Sequence, residues 1–221
     1  MLKHIAIIPA RKNSKGVKFK NRLLFNKTIK FIKKIKWIKK IIVSSDDEYI
    51  QKLSKKNKTI FLKREKKLSH GNVSIKKVII DVIKKNNLTG NDILWLFYIP
   101  IMGRQLKFYN LNKKFIEKKT VNSICSFFPV KTHPFNTWQY KNKKMKKLIK
   151  NDIYRRQDLP ELWEHHHLIC AFKVKEIYKL NSELINSRTR PIFLDKNLRD
   201  NIIEVDTLED IRKLNDKRFK K

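Results

Sequence analysis

Acidic residues are scarce in this chain, and so are glycine and cysteine. Twenty Asp and Glu stand against 54 Lys and Arg, a formal charge of +34 over 221 residues. Such an excess raises nucleic acid as a partner. Its texture argues against one. Lysine outnumbers arginine about four to one, and asparagine and isoleucine are also abundant. All three have A/T-rich codons, so a low-GC genome accounts for the bias, and the lysines are spread over helices and loops instead of gathering in one aromatic-studded groove. A basic surface would also steer small anions inward. Two isolated cysteines, Cys125 and Cys170, cannot make a disulfide framework and read as reduced core thiols of a cytoplasmic protein. No apolar run approaches the ~20 residues of a membrane helix. Met1-Leu2-Lys3-His4 leads directly into a strand, without the pattern of a signal peptide. We expect a single domain, residues 1–221, with a substantial core and no membrane partner.

Apolar runs at residues 4–9, 40–44, 59–62, 92–99 and 121–128 read as strands. Helical patterns lie between them. Phe31, Ile32, Ile35 and Ile38 share one helix face, and Ile75, Val78, Ile79, Val82 and Ile83 do so more clearly. Strands alternating with helices predict an α/β fold with a mostly parallel, Rossmann-like sheet covered by helices on both faces. Residues 136–155 break the rhythm. Asp46-Asp47 after Ser45 reads as a helix N-cap with first-turn acids. A last helix is expected near Thr207, with Asp210 completing a weak capping box.

With only four glycines in the chain, the position of one of them carries information. Ile5-Ala6-Ile7-Ile8 stops at Pro9, and the loop that follows holds Arg11, Ser14, Lys15, Gly16 and Lys20. A buried strand emptying into cations, a hydroxyl and a glycine is how α/β proteins build phosphate sites, because backbone N–H groups approach an oxyanion closely where there is no Cβ. It is neither a Walker loop nor G-x-G-x-x-G.

The segment resembles the opening signature of the cytidylyltransferases that activate acidic keto-sugars, the acylneuraminate (CMP-sialic acid) family and its relatives for legionaminic, pseudaminic and deoxy-octulosonic acids. Their form I-P-A-R-x-x-S-K-G-x-x-x-K-N is met at Ile8, Pro9, Ala10, Arg11, Ser14, Lys15, Gly16, Lys20 and Asn21. The similarity continues through Val43-Ser44-Ser45-Asp46, Phe61 to Arg64, Ser123 to Pro134, Arg156-Gln157-Asp158-Leu159-Pro160 and Glu204-Val205-Asp206-Thr207. It departs where Tyr98 to Arg104 replaces Q-P-T-S-P-L-R, where His166-His167 replaces Asn-Gly, and where Glu204 stands for the first metal aspartate. The departures cluster where a sugar would sit.

The resemblance implies transfer of CMP from CTP to an acidic keto-sugar with loss of pyrophosphate, for surface glycan synthesis. In-line nucleotidyl transfer needs the triphosphate charge neutralised and the attacking oxygen placed opposite the leaving group. Arg11 and Lys15 are the candidate catalytic cations. Ala10, Ser14, Gly16, Lys20, Asn21, Arg64 and Ser74 are further nucleotide contacts. Arg104, Arg156, Gln157 and His166 are candidates for the sugar; a guanidinium binds a carboxylate through two parallel hydrogen bonds, and Arg155 competes with Arg156. Glu204 and Asp206, one residue apart on a predicted strand 202–205, fall on one face and suit Mg²⁺; Asp206 could also accept the attacking hydroxyl's proton. Adjacent residues of a strand face opposite ways, so at most two of His165, His166 and His167 share a face. In the family, residues 136–165 form a dimerisation arm, which implies a homodimer. Two alternatives stay open: the same fold acting on another sugar or nucleotide, and a non-catalytic, basic nucleic-acid-binding protein.

Overall fold

The computed structural model describes residues 2–13 and 16–215. The elements run β1 (His4–Pro9), α1 (Lys20–Lys33), β2 (Ile38–Ser45), α2 (Glu48–Lys56), β3 (Ile60–Lys63), α3 (Ile75–Lys85), β4 (Ile93–Leu96), β5 (Ile101–Met102), α4 (Leu106–Ile116), β6 (Ser123–Pro129), β7 (Trp138–Lys141), β8 (Lys144–Lys147), β9 (Trp163–Lys173), β10 (Arg190–Phe193), α5 (Lys196–Asp200), β11 (Ile203–Glu204) and α6 (Leu208–Asn215). Seven strands form the main sheet in the order β10-β6-β9-β4-β1-β2-β3. Only β9 runs against the others. The α/β reading therefore holds.

β1 is central and buried on both faces, which is why it reads as an unbroken apolar run. Ala6 and Ile8 face a cluster built with Leu24, Phe25 and Ile29 of α1, Ile50 of α2 and Tyr109 of α4. Ile5 and Ile7 face the opposite cluster, with Ile79 and Val82 of α3. Strand order reverses direction between β1 and β4, so a crevice opens at the carboxyl ends of β1 to β4, the usual ligand position in open α/β sheets.

Local signals were read well where the chemistry is local. Asp47 caps α2, its carboxylate accepting from the Tyr49 N–H. Thr207 and Asp210 exchange hydrogen bonds as a capping box at the start of α6. The helix expected through Ile38 ends instead at Lys33, and Ile38 opens β2. β9 is expected only at its three histidines and extends from Trp163 to Lys173, and β10 is not expected from the sequence. The arm expected over 136–165 is shorter: residues 163–165 already belong to β9. What remains is a separate β7–β8 hairpin. Trp138, Tyr140 and Met145 lie on one exposed face of it, and Gln139, Lys141, Lys144 and Lys146 on the other.

β9 carries a large bulge. Cys125 pairs with Cys170, but the next residue, Ser126, pairs with His166, so His167, Leu168 and Ile169 are set out of register. The Ser126 hydroxyl fills the gap: it donates to the His166 carbonyl (2.6 Å) and accepts from the Ile169 N–H (2.9 Å). Ser126 is fully buried. Ser126→Ala should cost about 1–3 kcal/mol, because buried backbone groups lose their partner. Urea unfolding would measure it, and an unchanged midpoint would show that the bulge holds itself.

Candidate active site

A cleft of about 410 Å³ lies at the carboxyl ends of β1, β2 and β3. Arg11, Lys20, Asn21 and Arg64 line one part of it, and Tyr98, His167, Glu183 and Glu204 another. The first loop is pinned by its neighbours. The Ala10 N–H donates to Ser44 O (2.9 Å), the Lys12 N–H donates to Asp46 Oδ1 (2.8 Å), and Asn21 Nδ2 donates to Arg11 O (2.8 Å). Ala10 is fully buried, and Asn21 spends its amide on the loop backbone. Ser14 and Lys15 lie outside the described residues. Ser74 occupies the N-cap position of α3 without a capping bond; Val73 and Ile75 on either side of it line the cleft.

Arg64 is 6% exposed. It donates from Nε to Ser44 Oγ (3.2 Å) and from Nη2 to Ser44 O (2.8 Å). Among the described residues no carboxylate forms an ion pair with it. Burial lowers its pKa to about 10; Asp46 opposes this and the like charge of Arg11 adds to it. Two guanidinium groups thus share one cleft, and among the described residues neither forms an ion pair.

Glu204 and Asp206 flank Val205, which is fully buried, so both carboxylates point away from the core as a period of two requires. The strand is shorter than expected, Ile203–Glu204, and pairs antiparallel with β5. The Glu204 carboxyl is pushed up by burial and then by the charge of Asp206. Lys20 reaches this edge from α1. Its ammonium donates to Val205 O (2.9 Å) and to Asp206 Oδ1 (2.5 Å). Lys20, read as a phosphate contact, is here the clamp on a carboxylate. Gly16 packs on the same segment: a Cβ there would stand 2.1 Å from the Asp206 carbonyl oxygen. The two ends of the chain therefore meet at this point.

The sugar candidates part company. Arg104 turns inward and donates to the carbonyls of Ile101 and Tyr98, bracing the loop that replaces the family's proline-rich segment. Arg156 lines a separate cleft of about 620 Å³ with His133 and Asn136. Gln157 sits beside it in the turn Arg156–Asp158, and Arg155 is paired with Asp158. His166 lines a third cleft, about 380 Å³, with Lys131, Glu164, Arg199, Lys213 and Glu204. Glu204 is shared by this cleft and the first. Burial lowers both His166 and His167 to about 4, so both are neutral. His165 and His167 share a face, ring centroids 4.3 Å apart. Nothing in the sequence marked Glu183 or Arg199, which reach their clefts from irregular or short segments.

Residues 5–93 match the family described as cytidylyltransferase. No curated protein sequence matches the chain. Among solved structures, the chain is similar to a CMP:2-keto-3-deoxy-manno-octonic acid synthetase complexed with CTP (TM-score 0.67, 13% identity, 96% of each chain covered). It is similar to a 4-diphosphocytidyl-2C-methyl-D-erythritol synthase (TM-score 0.64, 11% identity, 97% of each chain). A cytidylyltransferase from Leptospira borgpetersenii serovar Hardjo-bovis follows at TM-score 0.58 and 15% identity, with 97% of this chain and 85% of that one covered. At such identities the likeness is one of fold. These matches extend beyond the acylneuraminate branch, so they bear on cytidylyltransferases as a group.

Proposed function

We propose that this chain is a CTP-dependent cytidylyltransferase that passes CMP to an acidic keto-sugar and releases pyrophosphate. The observation that carries this reading is the Arg11–Arg64 couple at the mouth of β1 to β3, which among the described residues forms no ion pair. Burying a guanidinium without a carboxylate is costly, and a triphosphate is the ligand whose charge repays that cost. The match of residues 5–93 to cytidylyltransferases names the nucleotide.

Glu204 and Asp206 fit Mg²⁺. They are hard oxygen donors on one side of a short strand, and their mutual repulsion, which adds to burial in raising the Glu204 carboxyl, is relieved by a divalent cation. Mg²⁺ takes one or two carboxylates and completes its shell with phosphates and water. When bound it supplies charge neutralisation at the α-phosphate. Lys20 orients Asp206 for that task. Arg11 and Arg64 hold the phosphates, and the sugar hydroxyl attacks the α-phosphorus opposite the departing pyrophosphate.

The third cleft is our choice for the acceptor. Lys131, Arg199 and Lys213 are its cations, set among Glu164, Asp200, Glu204 and Asp210, with Arg199 held by Glu164 at 2.9 Å; Lys131 is the cation we assign to the acceptor's carboxylate, and Glu204 joins this cleft to the nucleotide cleft. The exposed apolar face of the β7–β8 hairpin fits a second copy of the chain, since a two-stranded ribbon alone is marginal in water.

The reading is tested with CTP, Mg²⁺ and a panel of eight- and nine-carbon keto-sugar acids, following pyrophosphate. Asp206→Asn should lower the rate by about 10²-fold or more, as loss of a metal ligand and of transition-state charge stabilisation does. Pyrophosphate release by none of the acids, or an undiminished rate in Asp206→Asn, would overturn it.

A further inference from the structure

Neither cysteine has a part in nucleotidyl transfer, yet their surroundings are not those of inert core thiols. Cys125 and Cys170 are ladder partners on β6 and β9, at the last matched pair before the three-residue bulge. Both are free and buried, on the sheet face that also carries Phe172 and Leu96. Opposed residues of antiparallel strands have Cα atoms about 4.5–5.5 Å apart, inside the range a disulfide spans. The bulge brings a base to the pair: His165 Nε2 lies 3.0 Å from Cys125 Sγ. On its other side His165 Nδ1 faces Glu183 Oε2 at 3.9 Å. Cys170 lowers the Cys125 thiol, and His165 adds to this against burial, while Cys170 is raised. The imidazole beside Cys125 marks that sulfur as the nucleophile. The His165 side chain is 16% exposed, and its neighbours Glu183 and His167 line the main cleft, which gives a water-sized oxidant a route to Cys125.

We infer that Cys125 and Cys170 are a redox pair that closes to a cross-strand disulfide in the presence of a peroxide, with Cys125 attacked first and His165 as proton carrier. The Cys125 sulfur attacks one peroxide oxygen, the O–O bond breaks, and hydroxide leaves and is protonated to water. Cys125 is then a sulfenic acid. Cys170 gives its proton to His165 and attacks the Cys125 sulfur; the S–S bond forms and the sulfenic oxygen leaves as water with that proton. Two thiols and one hydrogen peroxide become one disulfide and two waters. Intracellular disulfides of this kind are transient and redox-sensing.

The test uses the reduced full chain and hydrogen peroxide, read by intact mass and by thiol count after denaturation. The chain has two cysteines, so the outcome is unambiguous. Both thiols should vanish together, the mass should fall by two hydrogens, the chain should stay monomeric on non-reducing electrophoresis, and dithiothreitol should reverse all of it. His165→Gln should slow the reaction about tenfold at neutral pH by lowering the thiolate fraction, and Cys170→Ala should stop at a sulfenic acid trapped by dimedone. Mass gains of one or more oxygens in the wild type, cross-linked chains, or thiols that react only after denaturation would overturn the inference. An unchanged rate in His165→Gln would remove His165 from it.

Discussion

Gly16→Ala should lower pyrophosphate release by about 10²-fold, the scale on which a displacement of about 1 Å acts on an aligned site. The reason is steric and local. A Cβ at residue 16 would sit 2.1 Å from the Asp206 carbonyl oxygen and 3.1 Å from its carbonyl carbon. Both are backbone atoms, so no rotamer change relieves the clash. Either the first loop withdraws from the cleft or the Val205–Asp206 segment moves. That segment is held by the Val205 N–H to Pro100 O (3.0 Å) and by Lys20, so the loop should yield. Arg11 then loses its place opposite Arg64 while the core of β1 is untouched. Gly90→Ala is the control, because its new Cβ meets only the Lys175 side chain at 3.6 Å, an ordinary contact. Kinetics with a circular-dichroism melt on both variants would decide it. A Gly16→Ala enzyme within threefold of wild type would show that the contact does not position the loop.

The same contact marks where the sequence stops being legible. β1 and the helix α3 could be read because each rests on a local rule: a doubly buried strand is a continuous apolar run, and an amphipathic helix repeats at 3.6. β9 could not. Three histidines interrupt its apolar alternation, and the bulge at His167 to Ile169 resets the phase, so period two fails across it. Arg104 illustrates a different limit. A cation after a strand reads identically whether it meets a ligand or, as here, two carbonyls of its own loop. Lys20 and Asp206 were each singled out, but their ion pair joins residues 186 positions apart. No spacing rule reaches that far; only the fold brings α1 and the β11 edge together.

Arg64→Met should make the protein more stable and a worse binder of CTP. Methionine keeps the apolar stem and removes a buried charge that forms no ion pair among the described residues. Replacing a buried ion by an apolar side chain of similar volume is commonly neutral or stabilising. The buried Ser44 hydroxyl loses Nε at 3.2 Å, but the Ser44 carbonyl that loses Nη2 still accepts from the Ala10 N–H at 2.9 Å. A gain of about 1 kcal/mol would raise Tm by roughly 2–4 °C in a chain of this size. The ligand side has the opposite sign. Losing a hydrogen bond from a charged group costs about 1.5–3 kcal/mol, so CTP affinity should fall between about tenfold and a hundredfold. Thermal melts and CTP titration calorimetry on the two proteins measure both. The pairing of signs is what matters, since a structural arginine predicts the reverse: a lower Tm and unaltered affinity. That outcome would mean the guanidinium is there to hold Ser44 and the end of β2. The expected one would mean that the chain keeps a destabilising charge buried because the nucleotide needs it there.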